Sequence, residues 1–156
     1  MGVSMLVTLP GCQQPNKPQK DQQFQAARQL VVDGKYQEAV PALEKYIDQK
    51  PHHKNASRAG LFLFKAHLAQ GQFDEATKWC EWTIREHPDS PEAHKCRYKL
   101  AVLSLVQGKH DDAQQRFADL AKNPDGPLAA EAAAMEKFLG SVEFQPRAAE
   151  KPVAGE

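Results

Sequence analysis

The sequence predicts an all-α chain, with three helical hairpins stacked in one array and closed by a capping helix. Two observations carry this. Gly34, Gly71 and Gly108 stand 37 residues apart, and each opens the same phrase: Gly34-Lys-Tyr-Gln-Glu-Ala39, Gly71-Gln-Phe-Asp-Glu-Ala76 and Gly108-Lys-His-Asp-Asp-Ala113. Pro51, Pro88 and Pro124 close the units in nearly the same register. Two segments with apolar residues at helical spacing flank every glycine, and no segment alternates with the period of a strand.

The elements follow in order. Helices are expected over 20–33, 36–49, 56–69, 73–86, 92–106 and 110–122. Before the glycines, Ala59, Leu63 and Ala66, then Cys96, Leu100 and Leu103, recur at helical spacing. After them come Val40, Leu43 and Ile47, then Ala76, Cys80 and Ile84, then Ala113, Phe117 and Leu120. A glycine between two helices suits the left-handed residue that ends the first, where a Cβ is disfavoured. The closing proline lacks an N–H and biases its predecessor away from helical angles, so it stops the second helix. Pro41, inside the second segment, predicts a mild bend.

A helical hairpin cannot bury its apolar stripe alone, so neighbours must stack and the ends must differ. In the first helix Gln22 and Gln29 hold the places that Ala59 and Ala66, then Cys96 and Leu103, hold later. Its outer side is therefore polar. At the other end Leu128, Ala132, Met135 and Leu139 keep helical spacing without a repeat phrase, which predicts a cap over 127–139. From 141 to 156 the composition turns to Pro, Ala, Lys and Glu without periodicity and reads as a disordered tail.

Composition narrows the function. With 156 residues one domain is expected. Twenty basic residues balance twenty acidic ones, so no overall positive field attracts nucleic acid. The six His (His52, His53, His67, His87, His94 and His110) form no helical pair with a carboxylate and no spacing that converges ligands. There is no Gly-x-Ser-x-Gly elbow and no phosphate-cradling glycine loop. Acidic pairs such as Asp111-Asp112 open helices, where they complement the dipole. The expectation is a non-catalytic protein without metal or cofactor. Cys80 and Cys96, on helices expected to pack together, read as small apolar core residues; a disulfide is the alternative in an oxidising compartment.

The thrice-repeated glycine phrase and closing proline resemble the tetratricopeptide repeat, a helix-turn-helix unit. The resemblance covers residues 20–140, with units 20–53, 57–90 and 94–127 and then the cap. The period is three residues longer than the family's 34, and Gln23, Gly60 and Arg97 stand where the family carries a large aromatic. The long period and the Pro88-Asp89-Ser90-Pro91 junction resemble repeats of bacterial envelope proteins. The resemblance implies a right-handed superhelix whose first helices line a concave groove. Groove places then fall at Phe24, Arg28 and Val31, at Arg58, Leu61, Lys65 and Leu68, and at Lys95, Tyr98, Val102 and Leu105. Four cations and no acid over an apolar floor imply a peptide ligand with acidic and apolar side chains. The alternative is a solvated face with Lys and Arg stems lying over apolar neighbours.

Two further features enter. Trp79 and Trp82 stand where the sister units have Ala42 and Lys45, then Arg116 and Asp119. They point to an apolar outer-face patch for a partner or a second copy, or else to rings packed under a neighbouring segment. At the N-terminus Leu9-Pro10-Gly11-Cys12 resembles a bacterial lipobox, which implies a signal segment over 1–12 and acylation of Cys12. Residues 13–19 are polar and Pro-bearing, as a tether would be. No run approaches the about 18 apolar residues a spanning helix needs. The expected function is a protein-binding adaptor anchored by lipid to the outer membrane and facing the periplasm, acting in envelope assembly or maintenance. The alternative is a cytoplasmic regulatory or co-chaperone-like module without lipid.

Overall fold

The computed structural model describes residues 21–123 and 126–142. Seven helices run in order: α1 (Gln22–Val32), α2 (Tyr36–Gln49), α3 (Ala56–Ala69), α4 (Phe73–Glu86), α5 (Pro91–Val106), α6 (His110–Ala121) and α7 (Ala129–Ser141). No strand occurs among the described residues. The cap starts and ends two residues later than the sequence suggests. Cys12, the 13–19 tether, Pro124 and the tail beyond residue 142 lie outside the described residues.

The three glycines do the same job three times. Gly34, Gly71 and Gly108 have φ of +75°, +73° and +74°. In each unit the residue after the glycine donates back five places, Lys35 to Leu30, Gln72 to His67 and Lys109 to Ser104, at 2.8–2.9 Å. The glycine N–H donates three places back, to Val31, Leu68 or Leu105, at 2.9–3.2 Å. These paired bonds satisfy the last carbonyls of α1, α3 and α5 and turn the chain into the next helix. At α5, Ser90 Oγ accepts from Ala93 N at 3.1 Å, and Pro91 occupies the first turn, where its missing N–H costs nothing. Helix α2 is continuous across Pro41; the Gln37 carbonyl that this proline leaves undonated belongs to an exposed residue.

The core is shared between hairpins. Phe24, Ala27 and Val31 of α1 meet Leu43, Tyr46 and Ile47 of α2, together with Ala59 and Leu63 of α3. Leu61 and Phe64 of α3 then join Ala76 and Cys80 of α4 and Cys96, Leu100 and Leu103 of α5. The pattern recurs as Ala101 of α5, Ala113 and Phe117 of α6, and Ala132 and Leu139 of α7 pack together. Each pair of helices is thus completed by the next helix along, which is why a lone hairpin would leave apolar surface in water. Gln22 and Gln29 are exposed while Ala59, Ala66, Cys96 and Leu103 are buried, as the polar first end requires.

Successive first helices touch, α1 on α3 and α3 on α5. No contact of comparable extent joins α2 to α4 or α4 to α6. The array therefore closes up on the α1/α3/α5 side, which is its inner face.

Candidate functional site

On α3 and α5 the inner face holds an apolar cleft of about 250 Å³, lined by Phe64, Leu68, Tyr98, Lys99, Val102, Leu103 and Val106. Leu68, Val102 and Val106 are large apolar side chains in water, exposed at 37%, 36% and 69%. The Tyr98 ring is held edge-on by Phe117 at 5.5 Å, so the cleft wall is anchored in the core.

One cation, Lys99, lines this cleft, and Lys65, Lys95 and Arg28 are electrostatically grouped with it. The Lys65 ammonium is held below its usual pKa by burial first and then by the charges of Lys99, Lys95 and Arg28. Lys65 lies over the Phe62 ring at 5.1 Å and Lys99 over Phe64 at 5.8 Å. None of the four cations makes an ion pair among the described residues; the pairs are formed elsewhere.

The expected groove residues divide. Leu68, Tyr98 and Val102 line the cleft, and Arg28, Lys65 and Lys95 form the cationic group. Phe24, Val31 and Leu61 are instead buried in the core and cannot meet a partner. Leu105 is half-buried against the third core cluster. Arg58 is occupied as well: its Nε donates to Glu92 Oε1 at 3.2 Å, and Ser57 Oγ donates to Glu92 Oε2 at 3.3 Å. That bridge ties α3 to α5 and compensates the buried Glu92 carboxylate. Lys99 and Val106 were missed, although they extend Lys95 and Val102 at i, i+4, i+7, i+11 spacing. The cleft shares Tyr98 and Val102 with the expected face but runs on to Lys99 and Val106 rather than to Leu105.

Trp79 and Trp82 are half-buried and do not form an exposed outer-face patch. Both pack against the first core cluster, with their rings edge-on at 5.6 Å. The reason is Gly60: a Cβ there would lie 3.1–3.2 Å from the Trp82 ring, so the missing side chain makes room for the indole.

Other polar groups serve the fold. Tyr46 Oη donates to Asp21 Oδ2 and lies 2.7 Å from His53 Nδ1, while Lys50 Nζ reaches Asp21 Oδ1 at 3.3 Å. This knot joins the start of α1 to the end of α2 and the following loop, and sequence periodicity gave no sign of it. Cys80 and Cys96 are free thiols, both fully buried in one cluster. The neighbouring Cys96 sulfur and then burial push the Cys80 thiol far above its usual pKa. Among the described residues no three His, Cys, Asp or Glu side chains converge as metal ligands. No described helix is long and apolar enough to cross a membrane.

Residues 30–97 match the family model described as the tetratricopeptide repeat. Among solved structures, the chain is similar to nearly identical TPR-like repeats from Podosopora anserina, described provisionally as a kinesin light chain. That likeness has 19% identity and a TM-score of 0.55; it covers 76% of this chain and spans 63% of the other. At that identity it speaks to the fold alone. No curated protein matches the sequence significantly.

Proposed function

We propose that this tetratricopeptide-repeat array acts as a protein–protein interaction module whose inner face captures an acidic, partly apolar peptide segment; the family match over residues 30–97 supports this. One observation carries the reading: an apolar cleft is lined by Lys99, which belongs to a group of four mutually repelling cations without carboxylate partners, in a chain of zero net charge. An apolar side chain in the cleft would supply contact area, and carboxylates on either side would relieve the Lys65, Lys95 and Lys99 repulsion. We also propose that lipid on Cys12 tethers the module to the outer membrane of a bacterial envelope. The lipobox-like Leu9-Pro10-Gly11-Cys12 and the polar 13–19 segment support this.

A labelled peptide alternating Glu with Leu and Phe tests the face by fluorescence anisotropy. Lys65→Glu/Lys95→Glu/Lys99→Glu should weaken binding roughly tenfold or more at low salt, with the gap narrowing as salt rises. Lys45→Glu, exposed on α2, serves as the control. Equal affinity for the triple variant and the parent defeats the reading. Detergent partitioning of the full chain tests the tether. Cys12→Ala should move it to the aqueous phase; a parent already found there favours the lipid-free cytoplasmic alternative.

A further inference from the structure

A second cleft lies away from the inner face, where α4, α5 and α6 meet. It is an open cleft of about 400 Å³, lined by Ile84, Arg97, Leu100, Arg116, Asp119 and Leu120. Its origin is visible by stepping one repeat along the chain. In the second unit, Trp82 fills the space over Gly60, with Trp79 beside it. The residues 37 places on from Gly60, Trp79 and Trp82 are Arg97, Arg116 and Asp119. No aromatic ring takes the indole's place, and two of the polar replacements are tied to neighbours along α6 and just past its end. Arg116 Nε donates to Asp112 Oδ2 at 2.9 Å; Asp119 Oδ1 accepts from Lys122 Nζ at 2.7 Å and Gln115 Nε2 at 3.1 Å.

Arg97 is left in an unusual position. It is half-buried, its Nη2 donates to the Pro88 carbonyl at 3.2 Å, and its Nη1 lies 3.4 Å from His94 Nδ1. No carboxylate pairs with it among the described residues. A half-buried guanidinium is stabilised most by a carboxylate, whose two oxygens match its planar fork. The aliphatic walls of Ile84, Leu100 and Leu120 offer contacts that only an apolar body can use. Arg116 and Asp119 are each paired, with Asp112 and Lys122, which leaves Arg97 as the charge of the lining without an ion pair among the described residues. We propose that this cleft binds a small aryl carboxylate, its ring lying where the second unit carries an indole and its carboxylate on Arg97.

Indole-3-propionate is the probe, titrated into the full-length chain and followed by amide NMR shifts. A saturable Kd on the order of 0.1–1 mM is expected for a ligand of this size, with shifts clustered at Ile84, Leu100 and Leu120. Indole-3-propionamide should bind at least tenfold more weakly, and Arg97→Gln should erase that difference. Asp119→Trp, which restores a ring to the site, should abolish binding and raise the melting temperature. Were Asp119→Trp to fail to fold, the acid-to-amide ratio in Arg97→Gln decides alone. Equal affinity for acid and amide, undiminished binding by folded Asp119→Trp, or no saturation by 10 mM (roughly ten times the upper Kd) overturns the proposal. The inner-face triple variant should bind the probe like the parent, so the two sites stand or fall separately.

Discussion

Replacing Gly60 by Ala ought to stabilise an ordinary helix, because alanine is favoured over glycine by about 0.8–1 kcal/mol. Here the added Cβ would lie 2.2 Å from Thr83 Oγ1 and 3.1–3.2 Å from two carbons of the Trp82 ring. Thr83 is fully buried, β-branched and stiff at χ1, and its Oγ1 is tied to the Trp79 carbonyl at 2.9 Å. It cannot step aside as the end of a flexible side chain would. The helices must separate or Thr83 must leave its rotamer, and overpacking of that kind costs about 1–3 kcal/mol. Set against the propensity gain, Gly60→Ala should lower stability by up to about 2 kcal/mol, or up to roughly 4–8 °C in Tm. Circular dichroism during thermal and urea unfolding measures it. In a Thr83→Ala background the clash with Oγ1 is gone, so the same change should cost at least 1 kcal/mol less, a coupling of the usual size for touching residues. A gain of about 1 kcal/mol in the parent background would refute the reasoning, since it would mean α3 and α4 are not in close approach at this point.

Three other outcomes are expected. Gly71→Ala should cost about 1–2 kcal/mol in the same unfolding assays; φ of +73° disfavours a Cβ even though nothing lies within 4 Å of it. Gly71→Asn should recover part of this loss, since Asn tolerates that conformation better. Acid should weaken the fold in a way that Asp21→Asn blunts. Burial opposes ionisation of Asp21, but hydrogen bonds from Tyr46, the Phe24 N–H and Lys50 outweigh it, so its folded pKa lies below the usual value. Such a group stabilises the folded state above its unfolded pKa of about 3.9 and loses that contribution as pH falls through the folded value. Urea midpoints from pH 6 downward should therefore drop less below pH 4 in Asp21→Asn than in the parent. Finally, Cys80 and Cys96 should be inert to a thiol reagent in the native state and both react in urea, because burial denies the reagent access to either sulfur; rapid native labelling of either contradicts the packing.

How far the sequence could be read depended on the length scale of the feature. Gly34, Gly71 and Gly108 could be assigned a left-handed turn from spacing alone, because that conformation selects glycine almost regardless of surroundings. The cap was legible for a similar reason: Leu128, Ala132, Met135 and Leu139 need only each other's spacing to declare a face. The groove was legible in kind but not in register. Apolar spacing marks a stripe without telling which edge meets the next helix, so Phe24 and Leu61 were taken for groove and Lys99 and Val106 were not. Trp79 and Trp82 invited exposure because their sister positions are small or charged. Only the missing side chain of Gly60, on another helix, explains why they are covered.

By itself, then, the amino-acid sequence determined the helices, their order, the glycine turns between them and the fact that they must stack. Those properties rest on backbone preference and one-dimensional periodicity. Tertiary structure alone decided which cations lack partners, where Arg58 spends its charge on Glu92, and why one hairpin junction is filled by indole while the next holds Arg97 beside an opening. Each of those depends on distances between helices, and a single side chain missing or added on one helix changes what its neighbour can reach.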